Sequence, residues 1–270
     1  MIKIRTHGGR IDTHFIGFSG GERHVELKSP EWPPEGPSHI YADIYSSDDL
    51  LDLLLAKNAL DEMRGAHEAH LWVRYLSYSR QDRHTYPGTA HSLKVFGSLL
   101  NTCNFSTVTT WDVHSDKAFE CINNLVNISP EMLITRRPNG LLLHLNGPDA
   151  VLVRPDEGAE IRTNGIRARF DYLQEDVIRC IKKRDPTNGK LLGFKITNPS
   201  DISGATAIIT DDICDGGGTF LGVADELRKL NPAKIILYVT HGIFSKGLEV
   251  FRGHIDEVYS TDSWAPPATG

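Results

Sequence analysis

One stretch of the sequence, Thr206 to Leu230, changes from the pattern of a strand to that of a helix across three consecutive glycines. Its first five residues are short, apolar or β-branched, which predicts a strand buried on both faces. Helical spacing follows at Phe220, Val223, Ala224 and Leu227. Glycines let backbone amides approach an anion, and a helix N-terminus attracts phosphate. The stretch therefore predicts a phosphate loop, with Thr219 as the N-cap of the helix.

Three acidic residues, Asp211, Asp212 and Asp215, precede these glycines. Carboxylates repel a bare phosphate, so their position indicates that hydroxyl groups or a hydrated magnesium ion bind beside the anion. No lysine follows the glycines directly, which excludes a Walker A loop. A sugar phosphate meets both demands, because its hydroxyls suit the carboxylates and its phosphate suits the amides.

The loop is similar to the one that holds ribose 5-phosphate or phosphoribosyl pyrophosphate in type I phosphoribosyltransferases and ribose-phosphate pyrophosphokinases. On its own it leaves both families open. The resemblance implies that ribose 5-phosphate is bound by Asp211, Asp212, Asp215, Gly216, Gly217, Gly218 and Thr219. These families usually have threonine where this chain has Gly216, so one side-chain donor to the phosphate is missing. We therefore expect looser binding of the acceptor than is usual.

A second informative region lies in the first half of the chain. Leu71 to Tyr78 predicts a strand, and the polar turn after it contains Arg80, Gln81, Asp82 and Arg83. A helix and a strand over Thr107 to Val113 follow, and that strand ends in the sequence Trp111-Asp-Val-His-Ser115. Ligands bind at the carboxyl ends of strands in open α/β sheets. For the polar turn taken alone, a solvated loop of mixed charge is the alternative.

Together, Tyr78 to Arg83 and Trp111 to Ser115 resemble the paired ATP-site motifs of the ribose-phosphate pyrophosphokinases. The phosphoribosyltransferases lack this N-terminal half. The resemblance implies that ATP is bound by Phe18, Glu22, Arg80, Gln81, Asp82, Arg83 and His114. The family usually has Asn or Asp where this chain has Gly20, which leaves its selectivity for adenine open.

Two segments of the second half match the same family, although each alone could be an ordinary surface turn. The first follows a predicted strand, Ala150 to Arg154, and is similar to the pyrophosphate loop: Asp156, Glu157, Gly158 and Ala159. The second, after a predicted strand from Val177 to Ile181, resembles a mobile basic loop that closes over the triphosphate. The resemblance implies catalytic roles for Lys182, Arg184 and His114.

These motifs occur in the family's order from Phe18 to Ser263, so the chain is identified as a member of the ribose-phosphate pyrophosphokinases. The resemblance implies an α/β protein of two similar phosphoribosyltransferase-like domains, residues 1–136 and 137–270, each a mostly parallel sheet flanked by helices. The family transfers the β,γ-diphosphate of ATP to ribose 5-phosphate with the help of Mg²⁺. The expected metal environment is His114, Asp156 and Asp112. A homo-oligomer, a dimer or a multiple of dimers, is also implied.

Composition limits the remaining possibilities. The net charge of −6 over 270 residues argues against nucleic acid as a partner. No apolar run approaches the ~20 residues that span a bilayer, and the first residues lack the apolar core of a signal peptide, so we expect a cytoplasmic protein without a membrane partner. Two alternatives stay open. One is a phosphoribosyltransferase that consumes phosphoribosyl pyrophosphate, and the other is a non-catalytic homologue that regulates a true synthase.

Overall fold

The computed structural model describes residues 2–28, 36–65, 67–136, 140–174, 177–184 and 191–266, without the side chains of Arg184 and Leu191. The chain divides into two units, Met1–Ile128 and Ser129–Ala265. Each unit contains a β-sheet flanked by helices, which confirms the predicted α/β class. None of the helices within the described ranges is long and apolar enough to cross a membrane.

The first unit contains a mixed sheet whose strand order is β3-β2-β1-β4-β5-β6-β7. Pairing is antiparallel from β3 to β4 in this order and parallel from β4 to β7. The elements described in this unit are β1 (Ile2–Thr6), β2 (Gly9–Gly17), β3 (Arg23–Lys28), β4 (Ser38–Ala42), α1 (Ser47–Arg64), β5 (Ala69–Trp72), α2 (Ser92–Asn101), β6 (Thr107–Trp111), α3 (Lys117–Cys121) and β7 (Leu125–Ile128).

Helix α1 begins with a capping box. The Ser46 hydroxyl accepts a hydrogen bond from the Asp49 amide at 3.2 Å, and the Asp49 carboxylate accepts one from the Ser46 amide at 2.9 Å. The buried apolar side chains of this helix are Leu50, Leu53, Ala56 and Leu60, whereas Leu51 is exposed.

The second unit contains a sheet of order β10-β9-β8-β11-β12-β13, in which β10 is antiparallel to β9 and the other pairs are parallel. Its described elements are α4 (Pro130–Arg136), α5 (Gly140–Leu145), β8 (Ala150–Arg154), α6 (Glu160–Arg169), β9 (Val177–Arg184), β10 (Leu191–Ile196), β11 (Thr206–Cys214), α7 (Gly218–Arg228), β12 (Lys234–Gly242) and β13 (Glu257–Ser260). Short 3₁₀ turns cover Glu157–Ala159 and Glu249–Phe251.

Strand β11 lies in the interior of this sheet, between β8 and β12. Ile209 packs in one apolar cluster with residues of α7, and Ile208 packs in a second cluster with residues of α5 and α6. Both side chains are fully buried, so the predicted burial of this strand on two faces is confirmed. Because the sheet is covered on both faces, a ligand can reach β11 only at an end of the strand.

Candidate functional site

The strand before the glycines extends beyond the apolar run from which it was predicted. Strand β11 continues to Cys214, so Asp211 and Asp212 belong to the strand and Asp215 follows it. Helix α7 then begins at Gly218, and its N-cap is Gly217, with φ of +78° and no side-chain cap. The prediction that Thr219 caps the helix is wrong, because Thr219 lies inside its first turn.

The start of α7 offers backbone amides to a ligand. The amides of Phe220 and Leu221 both donate to the Gly217 carbonyl at 3.0 Å. Within the described ranges, those of Gly218 and Thr219 donate to no protein acceptor. Unsatisfied amides at a helix N-terminus form an anion site, so the turn has the chemistry predicted for a phosphate loop.

Gly217 is required by both backbone conformation and packing. Its positive φ is rarely adopted by other residues. A β-carbon at this position would lie 2.8 Å from the ring of Phe251. The ring of Phe251 therefore packs against the turn at Gly217. Cys214, which ends the strand before this loop, is fully buried, and burial raises the pKa of its thiol to about 12.

The carboxylates of Asp211 and Asp212 share one arginine, Arg162, and the sequence analysis did not predict this pairing. In Arg162, Nη1 lies 3.4 Å from Oδ1 of Asp211 and Nη2 lies 3.6 Å from Oδ2 of Asp212. Helix α6 carries Arg162, and a hydrogen bond of 3.1 Å between Thr163 and Thr210 fastens the helix to β11. No local sequence pattern could have predicted that Arg162 pairs with Asp211, because 49 residues separate the two.

Burial and the neighbouring charge of Asp212 raise the pKa of Asp211 well above its ordinary value, while Arg162 opposes the shift. A largely buried acid pair that shares the guanidinium of Arg162 favours a ligand that donates hydrogen bonds. Asp215 is exposed and lies next to the glycines. The site can therefore hold hydroxyl groups close to an anion.

The expected pyrophosphate loop and the expected catalytic lysine meet in the second unit. Oδ1 of Asp156 accepts a hydrogen bond of 2.9 Å from the Gly158 amide and so caps the 3₁₀ turn over Glu157–Ala159. Its Oδ2 lies 2.6 Å from Nζ of Lys182. Lys182, predicted to lie in a loop, is part of β9, as is the backbone of Arg184. The Arg184 side chain and residues 185–190 of the predicted basic loop lie outside the described part of the chain.

In the first unit, the two predicted ATP-site motifs are joined by one buried carboxylate. Asp82 accepts hydrogen bonds from Arg83 Nε at 3.0 Å and from Ser115 Oγ at 2.8 Å. Burial alone would raise the pKa of Asp82, but these bonds and the charge of Arg83 hold it below the ordinary value. Arg80 and Gln81 directly precede Asp82 in the sequence, and both are exposed to solvent on the turn that follows β5.

Phe18 and Glu22 lie at the tip of the β2–β3 hairpin. Their backbones pair, with the Phe18 amide donating to the Glu22 carbonyl at 2.9 Å, and both residues are exposed. A β-carbon at Gly20 would collide with a carboxylate oxygen of Glu22. The glycine therefore lets the Glu22 side chain fold over the turn, where an asparagine or aspartate would displace it.

The residues expected near a metal include one buried carboxylate and one exposed imidazole. Asp112, at the end of β6, is 3% exposed, whereas His114 is exposed. Among the described residues, no group of three or more His, Cys, Asp or Glu side chains could hold a metal ion alone. This is compatible with magnesium, which one or two carboxylates commonly bind together with substrate phosphates.

Comparison with known proteins supports one family. The phosphoribosyl transferase domain family matches residues 139–256. The ribose-phosphate pyrophosphokinase of Thermococcus kodakarensis is 28% identical over 272 residues, which cover 99% of this chain and 91% of that protein. The protein of the same name from Pyrococcus furiosus is 29% identical, covering 93% of this chain and 86% of its own, and that from Hyphomonas neptunium is 28% identical, covering 82% and 69%.

A solved structure shares the fold. The crystal structure of phosphoribosylpyrophosphate synthetase from Mycobacterium smegmatis aligns with a TM-score of 0.76 at 20% sequence identity, over 94% of this chain and 80% of that one. The domain match falls within the second half of the chain, whereas the similarity to the archaeal proteins extends over both halves. This chain belongs to the ribose-phosphate pyrophosphokinase family.

Proposed function

We propose that the protein transfers the β,γ-diphosphate of ATP to the anomeric hydroxyl of ribose 5-phosphate, giving phosphoribosyl pyrophosphate and AMP. The observation that carries the proposal is the loop after β11. The largely buried carboxylates of Asp211 and Asp212 are followed there by the available amides of Gly218 and Thr219. The carboxylates accept hydrogen bonds from sugar hydroxyls, and the amides bind the 5-phosphate.

The acceptor hydroxyl is the nucleophile. Its oxygen forms a bond to the β-phosphorus of ATP, the bond from that phosphorus to the oxygen bridging the α-phosphate breaks, and AMP leaves while the hydroxyl proton is lost. Such a transfer depends on position and charge stabilisation. Holding the ribose on Asp211, Asp212 and Asp215 fixes the hydroxyl for in-line attack.

Charge stabilisation is assigned to Lys182 and Arg184. Lys182 bonds to Asp156 at the pyrophosphate loop, so its ammonium is already held at the place assigned to the diphosphate. Charge-assisted bonds to phosphate oxygens would stabilise the negative charge that develops during transfer. Asp156 then acts as a positioning residue for Lys182.

Nucleotide binding is assigned to the first unit. Arg80 is proposed to bind the triphosphate, with Gln81 and the hairpin residues Phe18 and Glu22 completing the site. Asp82 orients the guanidinium of Arg83 through their 3.0 Å hydrogen bond. Gly20 removes the side chain with which relatives contact adenine, so we propose a broad preference for the nucleotide base.

Magnesium is the proposed cofactor. When bound to the triphosphate, it would neutralise phosphate charge and polarise the transferred group. Asp156 in the second unit would supply a hard oxygen ligand of the kind that magnesium prefers, and so would Asp112 in the first unit, where His114 is close to it in sequence. We also propose that the protein forms a homo-oligomer, a dimer or a multiple of dimers.

The test of function is release of AMP. Chromatography should detect AMP when protein, ATP, Mg²⁺ and ribose 5-phosphate are combined, and none when the sugar phosphate is left out. A phosphoribosyltransferase would instead consume phosphoribosyl pyrophosphate with a nucleobase. The paired motifs around Asp82 and Ser115 favour the synthase over that alternative, while the presence of Lys182 favours it over a regulatory homologue. Absence of AMP with every nucleotide tried would exclude the enzyme.

A further inference from the structure

We propose that Lys246 supplies a cation to the 5-phosphate of the acceptor, in the space that Gly216 leaves beside the phosphate loop. The inference deepens the proposed function and rests on its assignment of ribose 5-phosphate to this loop. It names a phosphate-specificity residue of the acceptor site.

The turn that carries Lys246 is fastened to the phosphate loop through backbone hydrogen bonds. It follows β12, the neighbour of β11 in the sheet. The Phe244 amide donates to the Cys214 carbonyl at 3.1 Å, and the Ser245 amide donates to the Asp215 carbonyl at 3.2 Å. Lys246 therefore begins from a backbone position that the end of β11 fixes.

The Lys246 side chain runs along Gly216. A β-carbon added at Gly216 would lie 3.9 Å from its Cγ, 3.6 Å from its Cδ and 3.4 Å from its Cε, so the chain approaches the loop towards its ammonium end. Gly216 is absent from the residues with positive φ, so the backbone does not require glycine there. What glycine provides at this position is space, and the lysine side chain lies against it.

The charge on Lys246 is available to a ligand. Within the described part of the chain, Lys246 takes part in no ion pair and no side-chain hydrogen bond. The nearby Glu249 pairs with Arg252 at 2.7 Å. Three carboxylates, Asp211, Asp212 and Asp215, precede the glycines of the loop, and Arg162 pairs with the first two. A phosphate dianion entering this acidic region gains from a further cation.

The inference is tested by calorimetric titration of the protein with ribose 5-phosphate in the absence of ATP. We expect Lys246→Met, which keeps the aliphatic length, to weaken binding about tenfold, since a charge-assisted hydrogen bond is lost. Lys246→Arg should bind within about threefold of the wild type. Lys229→Met, at the exposed far end of α7, serves as the matched control and should bind like the wild type.

Two probes separate phosphate recognition from general damage. Inorganic phosphate should compete less well with ribose 5-phosphate in Lys246→Met than in the wild type. The substitution Gly216→Thr would add a hydroxyl donor beside the phosphate, so it should tighten binding more in the Lys246→Met background than in the wild type. Circular dichroism checks folding, and Lys246→Gln replaces Lys246→Met if the latter is unfolded.

The outcomes distinguish this inference from the proposed function. If the wild type binds ribose 5-phosphate but forms no AMP, the enzymatic proposal fails while the role of Lys246 can still stand on the binding data. If Lys246→Met binds ribose 5-phosphate as tightly as the wild type, the role of Lys246 is overturned even where AMP is formed. A wild type that does not bind ribose 5-phosphate overturns both.

Discussion

Nζ of Lys182 lies 2.6 Å from Oδ2 of Asp156, and this contact links the catalytic lysine proposed here to the pyrophosphate loop. The two residues are 26 positions apart in the chain. Parallel pairing of β8 with β9 brings both to the same edge of the sheet, with Arg154 opposite Arg179. Because Asp156 also caps the turn that contains Gly158, one carboxylate positions both the cation and the loop.

The first prediction concerns Lys182. Lys182→Ala should lower kcat by roughly 10²–10³-fold, because its charge acts mainly in the transition state. Binding of ribose 5-phosphate should change less than about twofold. Steady-state kinetics and calorimetry measure the two effects. Lys183→Ala, the exposed neighbour on β9, is the control and should retain activity. An equal loss of rate and of acceptor binding would contradict the role of Lys182.

The second prediction concerns stability at the acid pair. Since the pKa of Asp211 is raised in the folded state by burial and by Asp212, its contribution to stability decreases as the pH rises through that pKa. Asp211→Asn should therefore raise Tm by a few degrees at pH 8 and weaken binding of ribose 5-phosphate at least tenfold. Asp215→Asn, at an exposed position, should change Tm little. Melting curves that show a lower Tm for Asp211→Asn would refute this account of the pair.

The third prediction concerns the hydrogen bond between Ser115 and Asp82. Ser115→Ala should raise KM for ATP several-fold, because Asp82 is less firmly held and orients Arg83 less well. It should lower the free energy of unfolding by about 1 kcal/mol. Binding of ribose 5-phosphate should stay unchanged. The matched control is Ser98→Ala, on the exposed side of α2. A KM for ATP equal to that of the wild type would show that the link has no part in nucleotide binding.

The fourth prediction concerns Glu257. Hydrogen bonds from Lys234, Tyr259 and His144 lower its pKa from 4.5 to about 2. A lowered carboxyl pKa stabilises the fold above the unfolded value of 4.5, and that stability is lost as the pH falls towards 2. Glu257→Gln should thus be less stable than the wild type at pH 7 and lose less stability between pH 5 and pH 2. Urea unfolding at several pH values tests this, and parallel pH profiles for both proteins would disprove it.

Local features of the phosphate site could be predicted from the sequence. The apolar run before Asp211 and the glycines after Asp215 are decided by residues next to one another, and the strand, turn and helix follow from them. The predicted capping residue is wrong because the helix begins at Gly218. Its N-cap is Gly217, which takes a left-handed conformation that glycine adopts more readily than other residues.

Longer-range features could not be predicted in this way. In α1, leucines occupy positions 50, 51, 53, 54 and 55, so they cover both sides of the helix and periodicity does not select the buried face. The partner of the acid pair depends on how α6 packs against the end of β11, which places Arg162 beside Asp211 across 49 residues. The contact between Lys182 and Asp156 likewise depends on strand pairing.

The most direct test of the central claim is ³¹P nuclear magnetic resonance of a reaction that contains the wild-type protein, ATP, Mg²⁺ and ribose 5-phosphate. Phosphoribosyl pyrophosphate and AMP should appear in equal amounts while ATP disappears, because the bond between the β-phosphorus and the oxygen that bridges to the α-phosphate is broken. Formation of ADP with a sugar that carries a single phosphate at each of two positions, or an unchanged ATP spectrum, would contradict diphosphate transfer by this protein.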